Sequence, residues 1–201
     1  MGFRVLRVMN NDRIAPGKGF GPHAHRDMEI LTYVLEGHLL HRDSMGEQHV
    51  VGPNEIQAMS AGSGVVHSEF NASETESVFL YQIWILPAVE DLEPSYQQIA
   101  FDPSSRRGRL RLLAGPEKDR EEAMTVINQD ARFYAAELGS QDMVKHNLGS
   151  ERHAWVQVAR GCVNLNGQSL SEGDGAAVSN ERELTLKGSE GGGEVLLFDL
   201  P

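Results

Sequence analysis

The sequence predicts an all-β protein made of two small β-sandwich or barrel halves in tandem. The 201 residues include 21 glycines and 8 prolines, which favour short strands and turns over long helices. Apolar segments of strand length alternate with turn residues in the first half, and the second half repeats part of that order. We therefore expect two β units, at residues 1–100 and 101–201.

The strands of the first half follow from apolar runs that end at turn residues. Residues 28–37 (MEILTYVLEG) are rich in β-branched and aromatic side chains, so they form the first strong strand. Shorter strands are predicted at 38–44, 56–62 and 65–71, in an antiparallel meander. Residues 77–87 (SVFLYQIWILP) are almost wholly apolar, which is typical of a central strand buried on both faces.

A polar segment from Pro87 to about Pro116 is predicted to link the two halves. It includes one alternating strand, RRGRLRLLAGP, whose arginines favour a solvated edge strand over an anion site. These arginines are Arg107, Arg109 and Arg111. In the second half, residues 155–167 (WVQVARGCVNLNG) are predicted to form a strand, a glycine turn and a returning strand, and residues 193–201 match 77–87 in hydrophobicity.

Composition excludes several classes of protein. Hydrophobic residues make up 40% and charged residues 23% of the chain, as in an ordinary globular protein. The formal net charge of -11 argues against direct nucleic-acid binding and against binding to acidic membrane surfaces. The single cysteine, Cys162, cannot form an intramolecular disulfide or a cysteine metal cluster, and it is expected in the core. The sequence has no apolar run of about 20 residues and no apolar signal segment at its start, so a cytoplasmic protein is expected.

Two short motifs predict a metal site in the first half. His23 and His25 are two residues apart, and His67 and Glu69 have the same spacing. Alternate residues of an extended chain share a face, so each motif can direct both side chains toward one ion. Glu29 is a further carboxylate beside the first motif. Three imidazoles and a carboxylate suit a divalent transition metal such as iron, nickel, copper, zinc or manganese, with a coordination position left open.

Three segments, GFGPHAHRDMEILTYVLEG, MSAGSGVVHSEFN and LYQIWILP, resemble the pirin family of the cupin superfamily, in particular its bacterial quercetinase-like members. The resemblance extends to the closing EVLLFDLP. It implies a bicupin, two β-sandwich or jelly-roll barrels packed face to face, with one metal in the N-terminal barrel and no metal ligands in the C-terminal barrel. The metal ligands that it implies are His23, His25, His67 and Glu69, with iron as the first expectation.

The resemblance also decides how the other candidate residues are interpreted. A general cupin pattern would make Glu29 a metal ligand, whereas pirins use the glutamate at the position of Glu69, so Glu29 is expected to support a ligand. His38, His41 and His49 are expected at the surface or in turns. Relatives carry further strands before the position of Met1, so the N-terminal barrel is expected to rely on a partner or on the C-terminal half to cover an edge.

The activity implied by the resemblance is that of a quercetin 2,3-dioxygenase, which opens the central ring of a flavonol with O2 and releases CO. The expected partners are therefore O2 and a small aromatic, flavonol-like substrate. Glu69 is the expected catalytic residue, as a ligand that also accepts the proton of the flavonol 3-hydroxyl. The alternative is a metal-binding, redox-sensitive regulatory protein that acts through protein partners, and a cupin isomerase or sugar-modifying enzyme is a third hypothesis.

Overall fold

The structure, a computed structural model, describes residues 2–201, and their regular structure is almost entirely β. The strands of the first half are β1 (Leu6–Ile14), β2 (Gly19–His25), β3 (Glu29–Glu36), β4 (Leu39–Asp43), β5 (Gln48–Val51), β6 (Glu55–Ser60), β7 (Val65–Asn71), β8 (Val78–Ile85) and β9 (Ser95–Ala100). The strands of the second half are β10 (Arg111–Gly115), β11 (Thr125–Val126), β12 (Arg132–Leu138), β13 (Met143–Asn147), β14 (His153–Leu165), β15 (Gln168–Ser171), β16 (Gly175–Val178) and β17 (Glu183–Leu200). Short 3₁₀ helices lie at Pro103–Arg106 and Glu117–Asp119. Within residues 2–201, no helix has the length and apolar character needed to cross a membrane.

The first half is a sandwich of two antiparallel sheets. One has the order β1-β8-β3-β6-β9 and the other the order β2-β7-β4-β5. The predicted meander is therefore wrong, because most consecutive strands belong to different sheets. Gly37 sends the chain from β3 to β4 with φ 72°, and a Cβ there would lie 2.7 Å from the Ser77 carbonyl oxygen.

The predicted central strand is confirmed as β8, which lies between β1 and β3 and is buried along nearly its whole length. The predicted linker is wrong in part, since β9 falls inside it and pairs with β6 at the end of the five-stranded sheet. The predicted edge strand is also wrong: β10 lies between β11 and β12. Of the three arginines only Arg111 belongs to β10, whereas Arg107 makes an isolated bridge with Glu137.

The second half contains one sheet with the order β11-β10-β12-β17-β14-β15, to which β13 and β16 also pair. The predicted hairpin at 155–167 is a single strand, β14. Gly161 lies at a register shift with φ 67°, where a Cβ would be 2.3 Å from the Gly192 carbonyl oxygen, so the glycine makes a bulge and not a turn. Cys162 is a half-buried free thiol and not a core residue.

The two halves pack face to face through a shared apolar core. Leu31 and Tyr33 of β3 enter this core from the first half, and Phe133 and Phe198 enter it from the second with stacked rings 4.7 Å apart. Successive residues of a strand point to opposite faces, so Ile30 and Thr32 of the same strand point into the first sandwich. This confirms the expected all-β architecture of two packed units, while the division at residue 100 stays a prediction.

Candidate metal centre

Three histidines converge where β2 pairs with β7. The register sets His23 directly opposite His67, and His25 lies two residues further along β2. The ring centroids are 4.4 Å apart for His23 and His67 and 4.8 Å apart for each of the other two pairs. One nitrogen from each ring lies within 4.8 Å of the other two, a spacing that allows a single ion to contact all three.

Hydrogen bonds fix which nitrogens carry lone pairs. The Nδ1 of His23 donates to the carbonyl oxygen of Gly21 at 2.8 Å, so its Nε2 has a lone pair. That Nε2 lies 3.0 Å from the Nε2 of His67, which therefore donates its proton to His23. A cation between the two nitrogens would replace this proton, as expected when a metal binds imidazoles.

Burial favours the neutral form, which metals bind, in His25 and His67. Burial, followed by the neighbouring His23 and His25, lowers the pKa of His67 to about 3. Burial and then His23 also lower the pKa of His25. The Nε2 of His25 and the Nδ1 of His67 are buried and have no hydrogen-bond partner among residues 2–201. The unpaired Nε2 of His25, together with the facing Nε2 atoms of His23 and His67, fits a divalent transition metal.

Glu69 lies next to His67 on the interior face of β7 and is 1% exposed. Its Oε2 accepts a hydrogen bond of 2.5 Å from the Nε2 of Gln82, and its Oε1 has no partner in the described part of the chain. Burial raises the pKa of this carboxyl to about 7 although the bond from Gln82 lowers it. The structure groups Glu69 with His67 and His41 within 4.8 Å, and not with His23 and His25.

His41 was expected at the surface or in a turn, and this expectation is wrong. Its side chain is 0% exposed, because β4 turns Leu39, His41 and Asp43 toward the interior. The Nε2 of His41 donates to Asp43 at 3.0 Å, and its Nδ1 accepts from the Nε2 of Gln57 at 3.1 Å. Both ring nitrogens are therefore occupied, so His41 is unsuited to bind a metal despite its position. His49 is exposed, as expected, and His38 lies between β3 and β4.

Glu29 was expected to support a metal ligand, but its partners are other residues. It is 2% exposed and accepts hydrogen bonds from the Oγ of Ser60 at 2.7 Å and the Nδ2 of Asn128 at 3.1 Å. On β3 it shares a face with Leu31 and Tyr33, so it points toward the second half of the molecule. Burial raises its pKa. Glu29 follows His25 closely in the sequence, but its side chain lies on the face of β3 that points away from the histidines.

Two glutamines of the site were missed by sequence reasoning. Gln57 and Gln82 interrupt apolar strands, which was the available signal, and each reaches across the sandwich to the other sheet. Among residues 2–201, the clusters of three or more potential ligands lie in the first half only. In the second half, His146 contacts Asp199 at 2.8 Å, in a network with Arg152.

Two family models match the chain. The Pirin model matches residues 1–85, and the model for the quercetinase C-terminal cupin domain matches residues 112–200. A quercetin 2,3-dioxygenase from Escherichia coli (strain K12) is 44% identical over 201 residues, which are 100% of this chain and 84% of that protein. A pirin-like protein from Caulobacter vibrioides is 38% identical over 199 residues, which are 99% of this chain and 84% of that protein.

Solved structures agree with these relatives. The crystal structure of YhhW from Escherichia coli matches with a TM-score of 0.94 and 44% identity, covering 100% of this chain and 83% of that one. A structure of the bacterial pirin YhhW in complex with nickel(II) matches with a TM-score of 0.92 and 43% identity, covering 100% of this chain and 84% of that one. The likeness therefore extends over both halves of the chain.

Proposed function

The chain belongs to the pirin family, and on that premise we propose that it is a metal-dependent dioxygenase that opens the central ring of flavonols such as quercetin with O2 and releases CO. The observation that carries the proposal is that His67 belongs to two groups of potential ligands, one with His23 and His25 and one with the buried Glu69, whose Oε1 has no hydrogen-bond partner within residues 2–201. Relatives named quercetin 2,3-dioxygenase support the choice of substrate class.

We assign His23, His25, His67 and Glu69 as the ligands of one divalent transition metal ion. The unpaired Nε2 of His25, the facing Nε2 atoms of His23 and His67 and the free Oε1 of Glu69 support this assignment. Iron is the first expectation, and nickel, copper, zinc and manganese are alternatives that the same donor set accepts. The nickel complex of the E. coli pirin supports a divalent metal in this family. Such a metal supplies a Lewis acid for the flavonol 3-oxygen and redox chemistry with O2.

Glu69 is the proposed base. Gln82 holds Oε2 and so fixes the orientation of the carboxylate, which would accept the proton of the flavonol 3-hydroxyl on a lone pair that neither Gln82 nor the metal uses. Loss of this proton leaves an electron-rich enolate, which is the form that reacts with O2.

An aromatic surface beside the imidazoles suits a flat substrate. Trp84 lies edge-on to His25 with ring centroids 4.8 Å apart. Trp84, Met28 and Tyr96 are partly buried and pack on an apolar cluster that includes Met59. A flavonol could stack there while its 3-hydroxyl points toward Glu69.

The test is an aerobic quercetin assay on protein loaded separately with Fe(II) and Ni(II), with metal content measured on the same samples. We expect quercetin depletion with matching O2 consumption and CO release, and loss of all three in Glu69→Gln. Fully loaded protein that consumes no O2 and releases no CO would refute the proposal. If such protein changed its affinity for a protein partner with metal oxidation state, the regulatory alternative would replace it.

A further inference from the structure

Five polar side chains form a ring inside the first sandwich, beneath the three imidazoles. We call it the polar ring; each member is at most 8% exposed, and the members are Thr32, His41, Gln57, Glu69 and Gln82. Thr32 lies directly opposite Gln57 on one side and Gln82 on the other, so the three share one face of their sheet. His41 lies directly opposite Glu69 in the facing sheet. The hydrogen bonds from Gln57 to His41 and from Gln82 to Glu69 join the two sheets at this level.

Three oxygens of the polar ring lack hydrogen-bond partners in the described part of the chain. The Oγ1 of Thr32, the Oε1 of Gln57 and the Oε1 of Glu69 are buried and have no hydrogen-bond partner within residues 2–201. Buried polar atoms in native proteins are paired in the large majority of cases, since an unpaired one costs the full desolvation penalty. A metal on one lone pair of Glu69 would leave Thr32 and Gln57 unpaired.

We propose that the polar ring binds one ordered water molecule. Such a water would donate its two hydrogens to the Oε1 atoms of Gln57 and Glu69 and accept the hydroxyl hydrogen of Thr32. Three hydrogen bonds are the usual number for a buried water. The Nε2 of Gln57 donates to the Nδ1 of His41, so its Oε1 is the atom left for the water.

The water would make the ring a positioning device for Glu69. Gln82 holds Oε2, and the water would use one lone pair of Oε1, so the second lone pair is directed at the imidazoles. His41 lies opposite Glu69 and is held in place by two hydrogen bonds, because its Nε2 donates to Asp43 and its Nδ1 accepts from Gln57. Thr32 and Gln57 then act on the metal centre through Glu69. The water itself does not depend on the proposed function, whereas this role does rest on Glu69 being a ligand.

The first test is the thermal stability of metal-free Thr32→Val, which replaces the hydroxyl with a methyl group of similar size. If the hydroxyl binds water, the substitution breaks a satisfied bond and Tm falls by about 2–4 °C, the shift expected for a buried bond in a chain of this size. The matched control is Thr125→Val, whose buried hydroxyl donates to the Leu113 carbonyl at 3.0 Å and should give a similar fall. A Tm of Thr32→Val equal to or above wild type, with a fall in the control, would refute the water.

The second test combines crystallography and metal affinity. High-resolution maps of the wild type should show a solvent peak within hydrogen-bond distance of Thr32, and maps of Thr32→Val should lack it; a wild-type map without the peak refutes the site. Ni(II) should bind Thr32→Val about tenfold more weakly, as for other groups that orient a ligand. Unchanged Ni(II) affinity refutes the positioning role. None of these measurements uses quercetin, so their outcome is separate from that of the proposed function.

Discussion

Side-chain parity decides which of two carboxylates faces the imidazoles. Glu69 and His67 are two residues apart and share the interior face of β7, whereas Glu29 lies at the start of β3 on the face that meets the second half. Spacing predicts that His23 and His25 share one face and that His67 and Glu69 share another, whereas the meeting of the two motifs depends on the pairing of β2 with β7. The contacts of Glu69, Gln57 and Gln82 could not be predicted either, since they depend on which strands lie opposite each other across the sandwich.

Metal content should distinguish the two carboxylates. We expect Glu69→Gln to lower metal affinity at least tenfold, because it removes a charged oxygen from the centre. Glu29→Gln is the matched control and should keep its metal, since Ser60 and Asn128 are its partners. Elemental analysis after dialysis checks both. Loss of metal in Glu29→Gln with retention in Glu69→Gln would reverse the assignment.

Asp199 should make stability depend on pH. Burial would raise the pKa of this carboxyl, but hydrogen bonds from His146 and Arg152 and the charge of Arg152 outweigh burial and lower it. A lowered native pKa means that the carboxylate stabilises the fold above its ordinary pKa of 3.8 and that this contribution is lost as pH falls through the native value.

We therefore expect Asp199→Asn to lower the free energy of unfolding by about 1–3 kcal/mol at pH 7. The difference from wild type should shrink below about pH 4, where the unfolded carboxyl binds its proton. Urea unfolding between pH 3 and pH 7 measures it, with the exposed Glu90→Gln as control. A difference that stays constant over this range would show that the charge of Asp199 is not the cause.

At the scale of elements, continuous apolar runs were good predictors and glycines were ambiguous ones. The run that forms β8 predicts a central strand because a strand covered on both faces needs no polar side. Strand β9 was not predicted because its sequence, SYQQIA, is polar, as suits a strand that is only partly buried. Gly161 was expected in a turn, but it lies in a β-bulge. A turn and a bulge can both require a positive φ, so the glycine alone does not distinguish them.

The bulge at Gly161 gives a direct test of this interpretation. We expect Gly161→Ala to lower the free energy of unfolding by at least about 2 kcal/mol, because the new Cβ would be strained at φ 67° and would collide with the Gly192 carbonyl oxygen. Gly167→Ala is the control: its φ is 89°, but nothing lies within 4 Å of the added carbon. Denaturant titration compares the two. Equal losses would mean that strain alone, and not the close approach, matters at Gly161.

At the scale of the whole molecule, one apolar core joins the two halves. Tyr33 of the first half also donates to the buried Glu194 of the second at 2.5 Å. The sequence repeat predicted two units, but the residues on each that face the other could not be identified before the register of β3 and β12 was known. A core shared in this way predicts that the halves unfold together.

The two tryptophans allow this to be measured, because Trp84 reports on the first half and Trp155 on the second. Single-tryptophan variants Trp155→Phe and Trp84→Phe, studied separately, should give coincident transitions by fluorescence and by circular dichroism. In either background Phe198→Ala should lower the free energy of unfolding by about 3–5 kcal/mol, the usual cost of emptying a buried aromatic site. A fluorescence transition displaced from the circular dichroism transition would show that the halves unfold independently.

The two faces of β3 have a consequence for recombination within the family. One face carries Leu31 and Tyr33 into contact with the second half, and the other carries Thr32 into the polar ring. A chimera that joined this N-terminal half to the C-terminal half of a distant relative would keep every proposed ligand. In such a chimera β3 would pack against a different surface and shift, and Thr32 of the polar ring would shift with it. The residues of the second half that pack against β3 are therefore expected to coevolve with the first half.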